Sequence, residues 1–193
     1  MPTSLTHEEK RILLSIARQS ITEAVKRNPV PELVLKNLPE KLQTHGASFV
    51  TLTIKGELRG CIGALEAYQP LALDVQDHAI AAALMDSRFL QVSANELEDI
   101  KIEISWLSEP EELIYEGPEK LIEGLHPGVD GVILKDGQKR ATFLPQVWEK
   151  LPDPVDFLGH LCMKMGSSPD LWQKRLLEVK TYQVEEFNES QFS

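Results

Sequence analysis

The residues best suited to chemistry in this sequence are an arginine and a cysteine two positions apart, Arg59 and Cys61, in a β-prone run. Alternation along a strand predicts that both side chains lie on one face, while Leu58, Gly60 and Ile62 pack inward on the other. The Cα atoms of the pair are then about 6.5–7 Å apart, near enough for a guanidinium to stabilise a thiolate. The pair therefore suits thiol nucleophile chemistry or the binding of an anion.

Two glycines flank this cysteine, Gly60 and Gly63. A missing side chain leaves room for a ligand or another backbone to approach closely, so both glycines are candidate ligand-binding positions. A packing role for Cys61 is the alternative, because free cysteine is among the most buried residue types. The second cysteine, Cys162, falls on the apolar stripe of a predicted helix, and we expect it to be shielded from solvent.

Two further pairs of polar residues are candidates for the same site. Asp86 and Arg88 follow an alanine-rich helix, where a turn favours a local contact between carboxylate and guanidinium. Glu103 and Ser105 share the polar face of a predicted strand. That face either points into the site of Arg59 or is the solvated side of an antiparallel strand.

Metal and cofactor chemistry find little support in the sequence. Cys61 and Cys162 form no CxxC pair, and His160 and Cys162 project about 200° apart on a helix, so they cannot bind one ion together. The glycines between positions 124 and 131 lack the strand and helix context of a phosphate-binding loop. We therefore predict no metal site, no bound cofactor and no Ser-His-Asp triad.

The composition is that of a globular protein. The chain has 193 residues, of which 42% are hydrophobic and 26% charged, so one domain over residues 1–193 with room for two lobes is expected. A net charge of −10 disfavours nucleic acid and anionic membranes as partners. No apolar run approaches the ~20 residues of a membrane span, which favours a cytoplasmic location.

Local signals predict helices and hairpins without regular β-α-β alternation. Glycine turns between β-prone runs predict antiparallel hairpins at 48–63 and 131–144, and a capping box at Ser93 and Glu96 predicts a short helix. One last strand is expected at 179–187. The other predicted elements are a helix from Thr6 to the prolines at 29 and 31, a helix at 70–85, a strand at 101–107 and a helix after Asp153. Together they predict an α+β fold with a mainly antiparallel sheet and flanking helices.

The run Leu58-Arg59-Gly60-Cys61-Ile62-Gly63 resembles the hallmark motif of the AMMECR domain family. The resemblance continues in order over nearly the whole chain, in segments 86–89, 102–105, 128–132, 144–147, 157–158 and 161–164. It implies an α+β fold with a larger and a smaller lobe around a cleft lined by the motif. It also implies component A of the AmmeMemoRadiSam system, with a Memo-like protein and a radical S-adenosylmethionine (SAM) protein as partners.

Two functions fit these residues. In one, the protein binds a peptide or a small anionic ligand in a cleft lined by Arg59 and Cys61, for use by its partner proteins. In the other, it is a cysteine-dependent enzyme in which Cys61 is the nucleophile or a thiol acid/base and Arg59 holds an anionic substrate. Two observations would best test these functions. One is the solvent access of the Cys61 sulfur, and the other is its distance from an arginine and a carboxylate.

Overall fold

The computed structural model describes residues 4–192 of the chain. Its helices are α1 (His7–Val25), α2 (Glu40–Gln43), α3 (Leu71–Leu84), α4 (Pro118–Gly124), α5 (Pro154–Lys164) and α6 (Leu171–Lys174). Its strands are β1 (His45–Ile54), β2 (Glu57–Gly63), β3 (Gln69–Pro70), β4 (Ile100–Leu107), β5 (Glu111–Glu112), β6 (Gly131–Asp136), β7 (Lys139–Phe143), β8 (Glu178–Tyr182) and β9 (Val184–Asn188). The mixture of helices and antiparallel strands confirms the predicted α+β fold. Within residues 4–192, no helix is both long and apolar enough to cross a membrane.

The chain divides into two compact units. Unit 1 takes in the chain as far as Leu107 and again from Glu185 onward, and unit 2 is Ser108–Val184. In unit 1 the strand order is β2-β1-β4-β9, and the short β3 also pairs with β1. In unit 2 the order is β5-β8-β6-β7, with antiparallel pairing throughout.

The core of unit 1 lies on one face of its sheet, against α1 and α3. Alternate residues of the central strands, such as Val50 and Ile104, are completely buried there. The first helix begins at the predicted capping box. Thr6 Oγ1 accepts the backbone N–H of Glu9 at 3.2 Å, and the Glu9 carboxylate accepts the Thr6 N–H at 2.7 Å. Two backbone donors that would otherwise lack a partner are thereby satisfied.

The first predicted hairpin is confirmed as β1 and β2, but a β-bulge breaks its alternation. Leu52 pairs with Gly60, whereas the next residue of β1, Thr53, pairs with Leu58. Arg59 is thus the extra residue on β2. Opposed residues point to the same face, so Leu58 lies with Thr53 on the face away from the core, and its side chain is exposed. The prediction that Leu58 packs inward is therefore wrong, because strict alternation ends at the bulge.

Unit 2 contains the second predicted hairpin. The segment 131–144 forms β6 and β7 around a tight turn in which Gly137 has φ +59°, a conformation that favours glycine. Asp153 caps α5, as its position before a proline predicts. The apolar stripe of α5 buries Phe157 and Cys162 completely in the core of this unit.

The prediction of one strand at 179–187 is wrong. The chain forms two strands there, β8 in the sheet of unit 2 and β9 in the sheet of unit 1, separated by Gln183. No glycine or proline marks the break, so the sequence pattern continues through it. Two hydrogen bonds with Ser108 fix the backbone of Gln183 at the break instead. The Ser108 N–H donates to the Gln183 carbonyl at 2.8 Å, and the Gln183 N–H donates to Ser108 Oγ at 2.9 Å.

Candidate functional site

Cys61 lies half-buried on β2, the edge strand of the sheet of unit 1. Its cross-strand neighbour on β1 is Thr51. The Thr51 hydroxyl donates a hydrogen bond to Cys61 Sγ at 3.2 Å. The sulfur is therefore held in a defined direction on the face of the sheet opposite the core.

Asp86 and Arg88 approach Cys61 from the open edge of β2. The Asp86 carboxylate accepts the Cys61 backbone N–H at 2.9 Å, and Arg88 Nη2 donates to the Cys61 carbonyl at 3.3 Å. Arg88 also donates a hydrogen bond to each carboxylate oxygen of Asp86, from Nε to Oδ1 at 3.0 Å and from Nη2 to Oδ2 at 2.7 Å. The predicted local pair therefore forms, and it also binds the backbone of the cysteine.

Electrostatics around this pair follow from the same contacts. The hydrogen bond from Arg88, together with the Cys61 N–H, holds the pKa of Asp86 far below its usual range. The hydrogen bond to Asp86 and the negative charge of that carboxylate raise the pKa of Arg88. Asp86 is a buried carboxylate at this edge, whereas the guanidinium of Arg88 reaches solvent. A ligand approaching Cys61 from outside therefore meets the positive member of the pair.

Arg59 has a different set of partners. Its Nε and Nη2 donate to the two carboxylate oxygens of Glu96 at 2.7 and 3.2 Å, and its Nη1 donates to the Leu90 carbonyl at 2.9 Å. This fork, with support from Ser93, lowers the pKa of Glu96 to about 2. Arg59 thus fastens β2 to the segment that connects α3 with β4.

The two arginines differ in what they leave for a ligand. The Arg59 side chain is only 16% exposed, and each of its three nitrogens has a protein acceptor. The Arg88 side chain is 55% exposed. Among residues 4–192, no acceptor engages Arg88 Nη1. The geometry therefore makes Arg59 a clamp within the protein and leaves Arg88 available beside Cys61.

The flanking glycines are required by packing. A Cβ on Gly60 would overlap the carbonyl oxygen of Ala82 on α3, so the space beside this glycine holds another backbone. A Cβ on Gly63 would overlap the ring of Phe49. A direct role of either glycine in ligand binding stays a prediction.

Glu103 and Ser105 lie on β4, on the same face of the sheet as Cys61. Glu103 stands opposite Thr51, which separates it from Cys61, and Ser105 is buried opposite Phe49. Burial raises the pKa of Glu103, and the charge of Glu186 adds to this effect, while a hydrogen bond with Asn188 opposes it. A cross-strand row therefore runs from the Cys61 thiol through the Thr51 hydroxyl to the Glu103 carboxyl group.

No three histidine, cysteine or acidic residues within the described range lie close enough to hold a metal ion together. Cys162 is completely buried in unit 2, and burial raises the pKa of its thiol. The two cysteines thus occupy contrasting environments.

Comparison with known proteins decides the family. A model of the family described as AMMECR1 matches residues 14–187. The chain belongs to the AMMECR1 family. Similar family members include a protein of Methanosarcina acetivorans, 39% identical over 97% of this chain and 94% of the relative. A protein of Methanothermobacter thermautotrophicus is 38% identical over 96% of each chain.

A solved structure supports the same assignment. The crystal structure of the uncharacterised protein PH0010 from Pyrococcus horikoshii matches with a TM-score of 0.75 and 32% identity. The match covers 96% of this chain and 93% of that one. The α+β fold is therefore shared with an experimentally solved protein.

Sequence reasoning missed two residues of the site. The sequence marks Glu96, the partner of Arg59, only through its predicted capping box with Ser93, which the structure confirms at a 3₁₀ helix, Ala94–Glu96. Thr51 carried no signal of its own, but the register of the predicted hairpin would have placed it beside Cys61. Both were missed because their roles depend on contacts between separate elements.

Proposed function

We propose that this AMMECR1-family protein binds a peptide or a small anionic ligand at the surface formed by Cys61 and Arg88. The observation that carries the proposal is the Arg88 guanidinium, which is more than half exposed and lies against Cys61 with Nη1 unengaged by any described residue. An arginine with an unengaged N–H group can donate a charge-assisted hydrogen bond to a carboxylate or phosphate.

In this proposal Arg59 contributes indirectly. Its fork on Glu96 and its bond to Leu90 fix the segment that carries Asp86 and Arg88. We therefore propose Arg88, rather than Arg59, as the residue that contacts the ligand. Arg59 instead stabilises the segment on which Arg88 lies.

We further propose that the protein acts together with a Memo-like protein and a radical SAM protein. The support is the resemblance of the 58–63 run to the motif of component A of the AmmeMemoRadiSam system. Component A would present its bound ligand to these partners, in keeping with an exposed rather than enclosed cationic group.

The test is binding of small carboxylates and inorganic phosphate, measured by calorimetry on the wild type and on Arg88→Gln. Loss of one charge-assisted contact predicts about tenfold weaker binding. Arg11→Gln is the matched control, because Arg11 is an exposed arginine on α1 that forms an ion pair with the neighbouring Glu8. Equal affinity of wild type and Arg88→Gln would refute the proposed ligand contact. Copurification with the two partner proteins tests the second part separately.

A cysteine-dependent enzyme is the second candidate function. The observation that favours it is the hydrogen bond from the Thr51 hydroxyl to Cys61 Sγ. In that role Cys61 would act as the nucleophile and Arg88, rather than Arg59, would hold the anionic substrate.

A further inference from the structure

We infer that Thr51 positions the Cys61 sulfur as a nucleophile and that Arg88 makes this nucleophile select electrophiles that carry a negative charge. The inference rests on the second form of the proposed function, in which the thiol reacts. It names the class of substrate, an electrophilic carbon compound with a carboxylate or phosphate group. It also assigns a positioning role to a residue of the central strand.

The positioning role of Thr51 follows from the register of β1 and β2. Thr51 and Cys61 are directly opposed across the two strands, so their side chains emerge side by side on one face. The Thr51 hydroxyl donates to Sγ at 3.2 Å, which directs one lone pair of the sulfur toward β1. A charged sulfur gains more from this donor than a neutral one does.

The selectivity of Arg88 follows from the burial of its partner. Asp86 neutralises Arg88 in total charge, but the carboxylate is buried while the guanidinium is exposed. Glu103 lies on the far side of Thr51 from Cys61, on β4. A reagent that reaches Cys61 from the strand edge therefore passes the guanidinium first.

The reaction is a simple displacement. The Cys61 thiolate forms a bond from Sγ to the electrophilic carbon, and the leaving group departs with the electron pair of its own bond. The thiol proton has already passed to solvent. With iodoacetate the products are a carboxymethylated Cys61 and iodide, and with iodoacetamide they are the carbamidomethylated cysteine and iodide.

These two reagents are the probes. They react by the same displacement but differ in one negative charge, so the ratio of their rates at Cys61 measures charge selection. Rates are followed at Cys61 by peptide mass spectrometry, relative to a free cysteine peptide. We expect the ratio of iodoacetate to iodoacetamide to be about fivefold higher at Cys61 than in the peptide. High salt, near 1 M, should abolish this excess in the unaltered protein.

Variants separate the two roles. Thr51→Val keeps the shape and β propensity of the side chain but removes the donor, and we expect it to slow both reagents about fivefold and equally. Thr51→Ser, which keeps the donor, should restore the rate. Arg88→Gln should lower the ratio to that of the free peptide, while Arg11→Gln leaves it unchanged.

Two results would overturn the inference. Unchanged rates in Thr51→Val, with the fold intact by circular dichroism, would remove the positioning role. A peptide-like ratio in the wild-type protein, insensitive to salt, would remove the charge selection without need of any variant. In either case, reversible anion binding that depends on Arg88 would leave the proposed binding function standing.

Discussion

The Asp86 carboxylate accepts the backbone N–H of Cys61 at 2.9 Å, at the place where a neighbouring strand would offer a carbonyl oxygen. Arg88 donates a hydrogen bond to the Cys61 carbonyl, as the backbone N–H of a neighbouring strand would. The two side chains together satisfy an edge position of β2 as one residue of an added strand would. Cys61 is thereby protected from pairing with another chain through its backbone, while its side chain stays half-buried on the outer face of the sheet.

Arg59→Lys should destabilise the fold and leave ligand binding largely intact. Lysine keeps the charge but cannot hold both oxygens of Glu96 and the Leu90 carbonyl at once, so we expect a loss of about 1–2 kcal/mol in the free energy of unfolding. Denaturant titration measures this loss. Arg11→Lys, in an exposed pair, should change stability by less than about 0.5 kcal/mol. A variant of normal stability that no longer binds anions would instead make Arg59 a ligand contact.

Iodoacetamide should label Cys61 much faster than Cys162. Cys61 is half-buried, whereas Cys162 is 0% exposed and burial raises the pKa of its thiol. Mass spectrometry of the native protein gives both rates in one experiment. Denatured protein serves as the control, because unfolding should make the two rates similar. Faster labelling of Cys162 in the native state would contradict the structure of unit 2.

The Arg59–Glu96 pair should make unit 1 sensitive to acid. The folded state lowers the pKa of Glu96 from 4.5 to about 2, so its contribution to stability is complete above about pH 4.5 and is lost as the pH falls toward 2. Glu96→Gln lacks this titration. We expect its free energy of unfolding to fall less steeply over that range than that of the wild type, as measured by urea titration at several pH values. Parallel curves for the two proteins would contradict the assignment.

Glu103 should lower the stability of unit 1 at high pH, whereas the loss of the Arg59–Glu96 pair lowers it at low pH. Its pKa is raised by burial and by Glu186, so the folded state prefers the protonated form, and the associated stability is lost as the pH rises through the folded value. Glu103→Gln removes the cost of the buried charge. At pH 8 it should raise the free energy of unfolding by roughly 0.5 kcal/mol, and at pH 4 it should have little effect. A destabilised variant at pH 8 would show that the ionised carboxylate has a stabilising partner.

Gly60→Ala should be among the most damaging small substitutions in unit 1. The added Cβ would overlap the carbonyl oxygen of Ala82, and both atoms belong to regular elements, so β2 or α3 must shift. We expect a loss of about 3 kcal/mol or more. Gly117→Ala is a control, because that glycine has an extended backbone and open space at its Cβ position. Thermal denaturation of both variants gives the comparison.

The sequence predicts most local structure because the signals for it are local. The capping box at Thr6, the turn at Gly137 and the cap at Asp153 each act within a few residues, and each is found in the fold. The break at Gln183 was missed because it is held by Ser108, far away in the chain. The partner of Arg59 was missed for the same reason, since Glu96 is 37 positions away.

The sequence indicates candidate residues for the site, but it does not predict which of them contact one another. Alternation brought Cys61 to the outer face, but the bulge at Arg59 could not be read from residue types. That bulge separates the partners of the two residues, so that Cys61 contacts Thr51 and Arg59 contacts Glu96. The arginine that contacts Cys61 is consequently Arg88, in the turn after α3.

The order of the strands has a consequence for synthesis on the ribosome. β9 completes the sheet of unit 1 beside β4, yet all of unit 2 is translated between these two strands. The outer edge of β4 therefore emerges long before its partner, and the Glu189 carboxylate that accepts the Ile102 N–H emerges later still. Unit 2, an uninterrupted segment, is free to fold as soon as it leaves the exit tunnel, whereas unit 1 becomes complete only after translation has passed the final strand.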